Sequence, residues 1–488
     1  MTTEKVNRLH VKLSENNGRL KVKDLPKNVL AEIHQSCSFK IDGAEHSERF
    51  KAGMWDGYKR LFNKSTGIFP MGLWWRIQQI LDKNNILYDI LEEPQEVSSE
   101  FSLCTDNIEA RDYQEKAKEK AVEAKRCILQ VATGGGKTVI ATLIMAELGI
   151  PTLFMVHTKD LLYQSKHSFE EILGVEIGQI GDGIIDIKPI TVATIQTISR
   201  ALGTSISYEE DTVKEKEIKL DKKTTNKITE CLNNTKLVIW DEVHRIACDM
   251  AFNVNEAIKH APYRIGLSAS PWRDDNADIM IEASMGHVAY KISASDLIDR
   301  KYLVQPIIKM ITIPTDYVLD NRTYDQVYKQ DIVENEKRNN IIVDQVEKFM
   351  EMGIPTLILV KQIRHGKILQ KLIKERFGDV QFLSGRDYTD IRVGTINDMR
   401  EGKIDLLIAS TIADEGLDIK RLSAVILAGG GKSSTRALQR VGRVLRPFEG
   451  KSMAYVVDFN DQSKYLKEHS EKRKRIYQTE EKFILLEL

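Results

Sequence analysis

The residues best suited to chemistry lie at 127–138, where a short apolar run leads into three glycines, a lysine and a threonine. Consecutive glycines let a backbone turn tightly and bring its N–H groups close to a polyphosphate, and a following helix N-terminus adds positive potential. The lysine could contact terminal phosphates and the threonine hydroxyl could reach Mg2+. Val131 stands where the strict phosphate-loop pattern has glycine, so a structural glycine turn is the alternative. The candidate phosphate-binding residues are Thr133, Gly134, Gly135, Gly136, Lys137 and Thr138.

Two carboxylates, Asp241 and Glu242, directly follow the apolar run 237–240. At the end of a strand beside a phosphate loop, one carboxylate can hold Mg2+ and the other can orient or deprotonate an attacking water. Asp-Glu pairs are also common on protein surfaces, and that is the alternative interpretation. The position after a strand-like run favours catalysis, with Thr138 and Asp241 as the candidate Mg2+ ligands.

A polar tetrapeptide, residues 111–114, lies at the head of a helical pattern that precedes the glycine loop. The amide of Gln114 can donate to and accept from the edge of adenine, while Arg111 or Tyr113 could stack on its face. A tetrapeptide of this kind is weak evidence by itself. It makes these three residues candidates for base binding.

A basic helix is expected over 439–446, in the sequence Gln-Arg-Val-Gly-Arg-Val-Leu-Arg. Helical spacing places Arg443 and Arg446 near one face, and fixed guanidinium groups can stabilise charge on a transferring phosphoryl group. The alternative is an ordinary solvated basic helix. Gln439, Arg443 and Arg446 are therefore candidate catalytic residues.

The elements that must position these groups alternate short apolar runs with helical stretches, which is typical of parallel α/β sheets. Ligands of such sheets bind at the carboxyl ends of the strands, where the candidate residues fall. A first set of strands is predicted at 128–131, 152–156, 190–193, 237–240 and 265–268. A second set is predicted at 356–360, 380–383, 406–410, 424–427 and 453–459. The sequence therefore predicts two successive α/β units.

The bulk composition places limits on the class of protein. A chain of 488 residues with 42% hydrophobic and 29% charged residues is expected to form about three globular domains. It has no membrane-span or signal-peptide pattern, so a cytoplasmic protein is expected. Five cysteines without a C-x-x-C pair argue against a disulfide framework and a zinc site.

Charge is unevenly distributed although 71 basic residues balance 71 acidic ones. Residues 1–83 carry 15 basic and 9 acidic side chains, whereas 84–110 carry seven acids and no base. Basic residues interleave with aromatics in the first segment, which suits phosphate contacts and stacking on nucleic acid. The alternative is that the aromatics belong to a core. The candidate nucleic-acid contacts here are Lys51, Trp55, Lys59 and Arg60.

Six motifs occur together in an order that resembles superfamily 2 helicases. The stretch 266–275 is similar to the XPB branch, and the Gly-Met-Trp-Asp-Gly segment at 53–57 resembles UvsW-type phage recombination helicases. The six motifs are Arg-x-Tyr-Gln at 111–114, Ala-Thr-Gly-Gly-Gly-Lys-Thr at 132–138, Asp-Glu-Val-His at 241–244, Ser-Ala-Ser at 268–270, the stretch 411–419, and the basic helix at 439–446.

The resemblance implies an α/β fold of two RecA-like parallel-sheet lobes preceded by a small α+β N-terminal domain. The two lobes would bind one ATP with Mg2+ and step along a nucleic acid as hydrolysis opens the cleft. Residues implied to couple or sense the nucleotide are His244, Ser268, Ser270, Gly416 and Asp418. Residues implied to grip a nucleic-acid backbone are His157, Thr158, Thr194, Gln196 and Thr411.

The domain organisation expected from these patterns has six parts. They are a basic domain over 1–95, an acidic linker over 96–110, a first lobe over 111–300 with a charged insertion at 203–230, a connection over 301–340, a second lobe over 341–460, and a charged C-terminal tail over 461–488.

Several functions remain open on the sequence alone. The favoured one is an ATP-driven helicase or translocase that remodels duplex, forked or branched DNA, with an RNA–DNA hybrid as a further candidate substrate. The alternatives are an ATP-gated duplex clamp without processive unwinding and an RNA helicase. Recombination or replication proteins are the expected protein partners, and no membrane is expected. No nuclease signature lies beside the motor motifs, which disfavours a restriction subunit.

Overall fold

The computed structural model describes residues 8–203, 220–272, 277–315, 321–385, 387–410, 419–431 and 434–488. The chain forms two compact units, one from residues 1–131 and 136–291 and the other from residues 132–135 and 292–488. Three predicted site residues, Thr411, Gly416 and Asp418, lie outside the described residues, as does most of the predicted charged insertion. The described end of that insertion belongs to a helix, given below as α8.

The N-terminal part of the first unit is a small α+β region. One sheet has the order β5-β2-β1-β6, in which only the β1–β6 pairing is parallel, and β3 and β4 form a separate antiparallel ribbon. The strands are β1 Leu9–Leu13, β2 Asn17–Leu20, β3 Ser38–Lys40, β4 Tyr58–Arg60, β5 Ile68–Pro70 and β6 Tyr88–Glu92. The helices are α1 Lys27–Ser36, α2 Glu48–Lys51 and α3 Trp74–Lys83.

The remainder of the first unit is built on an eight-stranded sheet with the order β10-β9-β11-β8-β12-β13-β7-β14. Its central pairings are parallel, and the β9–β10 hairpin is antiparallel. The strands are β7 Arg126–Val131, β8 Thr152–Val156, β9 Gly178–Gly181, β10 Ile184–Asp186, β11 Ile190–Thr194, β12 Leu237–Asp241, β13 Tyr263–Ser268 and β14 Val288–Ile292. The helices are α4 Asp112–Ala124, α5 Lys137–Leu148, α6 Lys159–Leu173, α7 Ile195–Ala201, α8 Lys222–Asn234, α9 Asp249–Ala257 and α10 Asp278–Met285.

The second unit is a seven-stranded sheet with the order β17-β18-β16-β19-β20-β15-β21, and its pairings are parallel. The strands are β15 Gln305–Ile313, β16 Thr356–Val360, β17 Gln381–Leu383, β18 Leu406–Ser410, β19 Ala424–Ile426, β20 Met453–Asp461 and β21 Ile484–Glu487. The helices are α11 Ala294–Asp299, α12 Tyr324–Val327, α13 Glu336–Glu351, α14 Ile363–Phe377, α15 Thr389–Glu401, α16 Ser434–Val444 and α17 Leu466–Gln478. A π-helical turn, Tyr328–Val333, follows α12.

The fold class predicted from the sequence is confirmed: two parallel-sheet α/β units follow a small α+β region. Two of the expected segments differ from the structure. Residues 461–488, expected as a tail, end β20 and form α17 and β21, and residues 301–340, expected as a connection, contribute β15 to the sheet. The charge of the C-terminal segment fits this placement, because α17 buries Leu466, Ser470, Arg473 and Tyr477 and exposes its other side. Among the described residues, no helix combines the length and the apolar character needed to cross a membrane.

The N-terminal region shares its core with the first lobe. On α3, Ile77, Ile80 and Leu81 are buried at i, i+3 and i+4 spacing, and this face packs in one cluster with Ile279 and Ala283 of α10. Because one apolar cluster spans both parts, the N-terminal region is a component of the first unit.

Polar contacts reinforce this junction. Arg264, which is fully buried, donates to the backbone and side-chain oxygens of Asn255 at 2.8 and 2.9 Å and to the side chain of Asn16. Asn16 in turn donates to the backbone oxygen of Glu256 at 2.9 Å. Arg76 on α3 forms an ion pair with Glu282 on α10. A buried guanidinium with several acceptors is costly to leave unpaired, so loss of the N-terminal region should destabilise the first lobe.

Substituting Gly72 with alanine should reduce the free energy of unfolding of the first unit by about 1–3 kcal/mol through overpacking. A Cβ at this position would lie 2.1 Å from the backbone oxygen of Glu282 and 2.4 Å from that of Ala283. Urea unfolding followed by tryptophan fluorescence measures the effect, because all five tryptophans lie between residues 55 and 272.

The control for this substitution is Gly394→Ala on α15 in the second unit, with unfolding of both variants also followed by far-UV circular dichroism because the tryptophans lie in the first unit. No heavy atom lies within 4 Å of a Cβ built there, and alanine favours a helix, so stability should stay constant or rise. Wild-type stability of the Gly72→Ala protein would show that the N-terminal region is only loosely attached to α10.

Candidate nucleotide-hydrolysis site

The glycine loop joins β7 to α5, and α5 begins at Lys137. Gly136 directly precedes the helix with φ of 77°, a left-handed conformation that glycine adopts without steric cost. A Cβ on Gly136 would lie 2.4 Å from the amide nitrogen of Gln114, so glycine lets this amide approach the loop closely. The structure therefore brings Gln114 against the phosphate loop, as the pairing of the two motifs in sequence suggests.

The predicted base-binding tetrapeptide has a different arrangement from the one expected. The side-chain oxygen of Gln114 accepts from the backbone N–H of Arg111 at 2.9 Å and so caps α4. Arg111 donates to the Tyr113 hydroxyl at 3.1 Å. Because the Tyr113 side chain is fully buried, its ring is not accessible for stacking on a base. Of the two residues expected to stack, only Arg111 has exposed surface.

Lys137 and Glu242 form the central contact of the site. The Lys137 ammonium lies 2.6 Å from Glu242 Oε1, and both side chains are about five-sixths buried. Ser268 donates its hydroxyl to Glu242 Oε2 at 3.2 Å, and His244 Nδ1 lies 3.4 Å from the same oxygen. The structure thus gathers residues from three motifs, with Lys137 more than 100 positions before the other two.

The register of two neighbouring strands explains this convergence. Strands β12 and β13 pair in parallel with Asp241 opposite Leu267, so the residues that follow, Glu242 and Ser268, emerge side by side. Glu242 itself has φ of 50°, which is uncommon for a residue with a side chain. Such strained conformations cluster at functional sites, and this one orients the carboxylate toward Lys137.

The electrostatics of the site keep Glu242 ionised. Burial would raise the pKa of Glu242, but the charge of Lys137 and its hydrogen bond outweigh burial and lower the pKa to about 2. The ionised carboxylate therefore contributes stability above pH 4.5, and that contribution is lost as the pH falls toward 2. Burial lowers the pKa of His244 to about 4, so its imidazole is neutral at pH 7 and Lys137 supplies the local positive charge.

Asp241 and Thr138 are the residues present that suit Mg2+. Asp241 ends the buried strand β12, and Thr138 lies in the first turn of α5. Burial raises the pKa of Asp241, an effect that Lys137 offsets only in part, so a divalent cation would stabilise this carboxylate further. A carboxylate and a hydroxyl are hard oxygen donors of the kind that Mg2+ uses together with substrate phosphates. The donor set therefore fits the ion.

The predicted nucleic-acid contacts of the first lobe lie at the ends of two adjacent strands, β8 and β11. Gln196 donates its amide to the backbone oxygen of His157 at 2.9 Å, which joins the two segments. Thr158 accepts from Leu161 N–H as the cap of α6. His157 and Thr194 are more than nine-tenths buried, so of these four residues only Thr158 and Gln196 are partly exposed.

The basic residues predicted to contact nucleic acid in the N-terminal region are mostly paired. Lys59 lies 2.8 Å from Asp249 of α9, and Arg60 forms an ion pair with Asp56. Trp55 donates its indole N–H to the backbone oxygen of Tyr58 at 2.9 Å. Lys51 is exposed at the end of α2.

The basic helix predicted at 439–446 is α16, which ends at Val444. Gln439 and Arg443 lie within it, and Arg446 follows its end. Arg443 and Arg446 are partly buried, and burial together with the charge of Arg400 lowers the pKa of Arg446. Partial burial distinguishes these two side chains from Arg436 on the same helix, which is exposed.

Comparisons with known proteins find helicase relatives. Two family models match, "Type III restriction enzyme, res subunit" over residues 107–273 and "Helicase conserved C-terminal domain" over residues 338–447. The ATP-dependent DNA helicase uvsW of Enterobacteria phage T4 is 26% identical over 463 residues, which cover 90% of this chain and 88% of that protein. The DNA 3'-5' translocase XPB2 of Sulfurisphaera tokodaii is 26% identical over 384 residues, which cover 71% and 80%.

The chain belongs to the superfamily 2 helicases, of the UvsW/XPB-like type. It is an ATP-dependent helicase. In structure it is similar to the helicase Lhr of Mycobacterium smegmatis, with a TM-score of 0.50 and 17% identity over 76% of this chain and 47% of that one. At this identity the structural likeness shows the shared fold of the helicase motor.

Proposed function

We propose that this helicase uses ATP and Mg2+ to translocate on DNA and to remodel branched DNA such as forks and junctions, with R-loops as a further substrate. The observation that carries the proposal is the extent of similarity to a named DNA helicase, which covers 90% of the chain. This share exceeds the span 107–447 of the two family models, so it extends into regions outside the motor. Those regions include parts that are joined to the first lobe through α3 and α10.

In the proposed hydrolysis step, the phosphate loop binds the nucleotide and the phosphates draw Lys137 away from Glu242. The Glu242 carboxylate, released from its ion pair, orients or deprotonates the attacking water. Thr138 and Asp241 would hold Mg2+, which would neutralise charge on the phosphates. Arg443 and Arg446 would stabilise charge on the transferring phosphoryl group.

Coupling to DNA is proposed to run through the network around Glu242. Ser268 donates to Glu242 and also accepts from the Ser270 N–H at 3.2 Å, so loss of the Glu242–Lys137 pair alters contacts of the 268–270 segment. His157, Thr158, Thr194 and Gln196 would contact the nucleic-acid backbone at the ends of β8 and β11. Hydrolysis would shift this grip and produce a step.

Rates of ATP hydrolysis with different nucleic acids test the proposal. Single-stranded DNA, duplex, forked DNA, four-way DNA and RNA are compared at one salt concentration, with strand displacement measured in parallel. Forked and four-way DNA should stimulate hydrolysis most and should be unwound. Stimulation by RNA alone would identify an RNA helicase, and ATP-dependent duplex binding without displacement would identify a clamp.

Reversing the charge of Lys51 should weaken DNA binding by the full-length protein. Lys51 is exposed, whereas the other two predicted basic contacts, Lys59 and Arg60, are held in ion pairs. For the Lys51→Glu protein, the slope of log K for binding against log salt concentration should be smaller in magnitude by about one. Fluorescence anisotropy with a labelled fork at several salt concentrations measures this slope.

Lys12→Glu is the control, because Lys12 already pairs with Glu92 on the small sheet. It changes net charge equally and should leave the slope unchanged. Equal slopes for Lys51→Glu and wild type would mean that this part of the N-terminal region does not contact DNA.

A further inference from the structure

Aromatic side chains from three elements of the second unit converge on Tyr324. Its ring centroid lies 6.0 Å from those of Tyr328 and Tyr465 and 5.7 Å from that of His469. These residues belong to α12, the π-helical turn and the start of α17, and they are up to 145 positions apart in the sequence. No local sequence pattern predicts that these residues come together. We call these four residues the ring cluster.

Two lysines lie over the ring cluster. The Lys361 ammonium is 5.6 Å from the ring centroid of Tyr324 and 5.2 Å from that of Tyr328. The Lys464 ammonium is 4.9 Å from the ring centroid of Tyr465. Basic groups beside aromatic faces combine phosphate attraction with a stacking surface.

The ring cluster lies at the ligand-binding edge of the sheet. Lys361 directly follows β16, and Lys464 and Tyr465 follow β20. The Tyr328 hydroxyl donates to the backbone oxygen of Gly429, which follows β19, at 2.7 Å. All three strands are parallel, so their carboxyl ends lie at one edge, where open α/β sheets bind ligands.

The backbone beneath the cluster is irregular at two places. A π-helical turn, Tyr328–Val333, carries one ring, and such turns are frequent at functional sites. Tyr465 has φ of 65° and ψ of −43°, a positive-φ conformation that is costly for a residue with a side chain. Despite this cost, the Tyr465 side chain remains 39% exposed.

Packing alone does not explain Tyr465. The small core below the cluster consists of Val327, Tyr328, Ile332, Val333 and Leu466, with Tyr324 and Ile368 packed against it. Tyr465 is not among these residues, so its strained and exposed ring adds little to that core. A ring held in this way at a ligand-binding edge suits an external partner with a flat face.

We propose that the ring cluster binds an unpaired strand of nucleic acid, with Tyr465 stacking on a base, Tyr324 supporting the Tyr465 ring, and Lys361 and Lys464 contacting phosphates. The inference rests on the proposed function, which supplies a nucleic-acid substrate. An unpaired strand is the partner because a base exposes its face for stacking only when it is outside a duplex.

Binding of a short single-stranded oligonucleotide to the full-length protein tests this site. The Tyr465→Ala protein should bind about 5- to 100-fold more weakly, the usual effect of removing one stacking ring. The Tyr465→Phe protein keeps the ring and should bind as wild type does. A 2-aminopurine base in the oligonucleotide should lose fluorescence on binding to wild type and Tyr465→Phe, and less so with Tyr465→Ala.

Lysine variants test the phosphate contacts. Lys361→Ala should reduce affinity and salt dependence, whereas Lys371→Ala should change neither, because Lys371 lies on α14 within 3.9 Å of Glu375. ATP hydrolysis without nucleic acid should be the same in wild type and all four variants. Wild-type affinity of Tyr465→Ala, together with unchanged 2-aminopurine quenching, would overturn the proposal.

Photocrosslinking of the unaltered protein gives an independent result. An oligonucleotide with 5-iododeoxyuridine should crosslink to peptides containing Tyr465 or Tyr324, identified by mass spectrometry. Crosslinks confined to other peptides would also overturn the proposal. One outcome is that nucleic acid stimulates hydrolysis by the wild type while Tyr465→Ala binds the oligonucleotide as wild type does and no crosslink forms to Tyr465 or Tyr324. In that case only this inference fails. If no nucleic acid stimulates hydrolysis, the proposed function fails.

Discussion

Replacing Glu242 with glutamine is expected to slow ATP hydrolysis by about 10²- to 10⁴-fold, the usual contribution of a general base. Nucleotide binding should persist, because the amide leaves the phosphate loop intact and removes the carboxylate that pairs with Lys137 at 2.6 Å. The variant should therefore accumulate in an ATP-bound state on DNA. Phosphate release measures hydrolysis, and the fluorescence of a labelled ATP analogue measures binding.

Lys137→Ala provides the contrast to this variant. It should also abolish turnover, but it removes a phosphate contact and leaves Glu242 buried without its cation, so nucleotide affinity should fall as well. Lys118→Ala is the matched control, because Lys118 pairs with Glu115 and Glu147 elsewhere in the first lobe. Wild-type hydrolysis rates in the Glu242→Gln or Lys137→Ala protein would show that this site does not hydrolyse ATP.

Arg446→Ala is expected to reduce kcat by about 10³-fold or more while leaving ATP affinity nearly unchanged, which is the usual effect of losing an arginine finger. Arg443→Ala should behave similarly. Both side chains are partly buried near the end of α16, so they are more fixed than a solvated arginine. Steady-state kinetics separate kcat from KM for each variant.

Arg436→Ala is the control for these two variants, because Arg436 is exposed on the same helix. It should retain wild-type kcat. Turnover that survives the loss of both Arg443 and Arg446 would show that α16 is an ordinary basic helix.

Ten strands of the two large sheets were predictable because they are buried apolar runs, whereas β9, β10, β14, β15 and β21 were not predicted. The predicted bounds 152–156, 356–360 and 406–410 agree with β8, β16 and β18. Residues covered on both faces read as continuous hydrophobic segments, and the polar residues after them end each strand clearly. The phosphate loop and Asp241-Glu242 could be found for the same reason, since they follow such runs.

The contacts between distant elements could not be read from the sequence. The Lys137–Glu242 pair depends on the register of β12 against β13 and on the positive φ of Glu242. The contact of Asn16 with Arg264 joins residues 248 positions apart. Burial of Tyr113 was also not predictable, because a ring that stacks on a base and a ring in a core have the same local sequence.

Misassigned segments share a physical cause. Residues 461–488 are rich in charge because α17 and β21 each expose one side to solvent, although Arg473 of α17 is buried and donates to Asp458 at 2.8 Å. Lys59 and Arg60 looked available for phosphates, but they pair with Asp249 and Asp56. Composition reports how many charges a segment holds, and only tertiary structure reports which of them are neutralised.

Strand separation on a forked DNA, followed in time with ATP and Mg2+, tests whether this protein couples ATP hydrolysis to DNA unwinding. The wild-type protein should release the displaced strand, and the Glu242→Gln protein should bind the fork without releasing it. Release by the Glu242→Gln protein at the wild-type rate would contradict the account, and so would ATP hydrolysis by wild type that neither responds to the fork nor opens it.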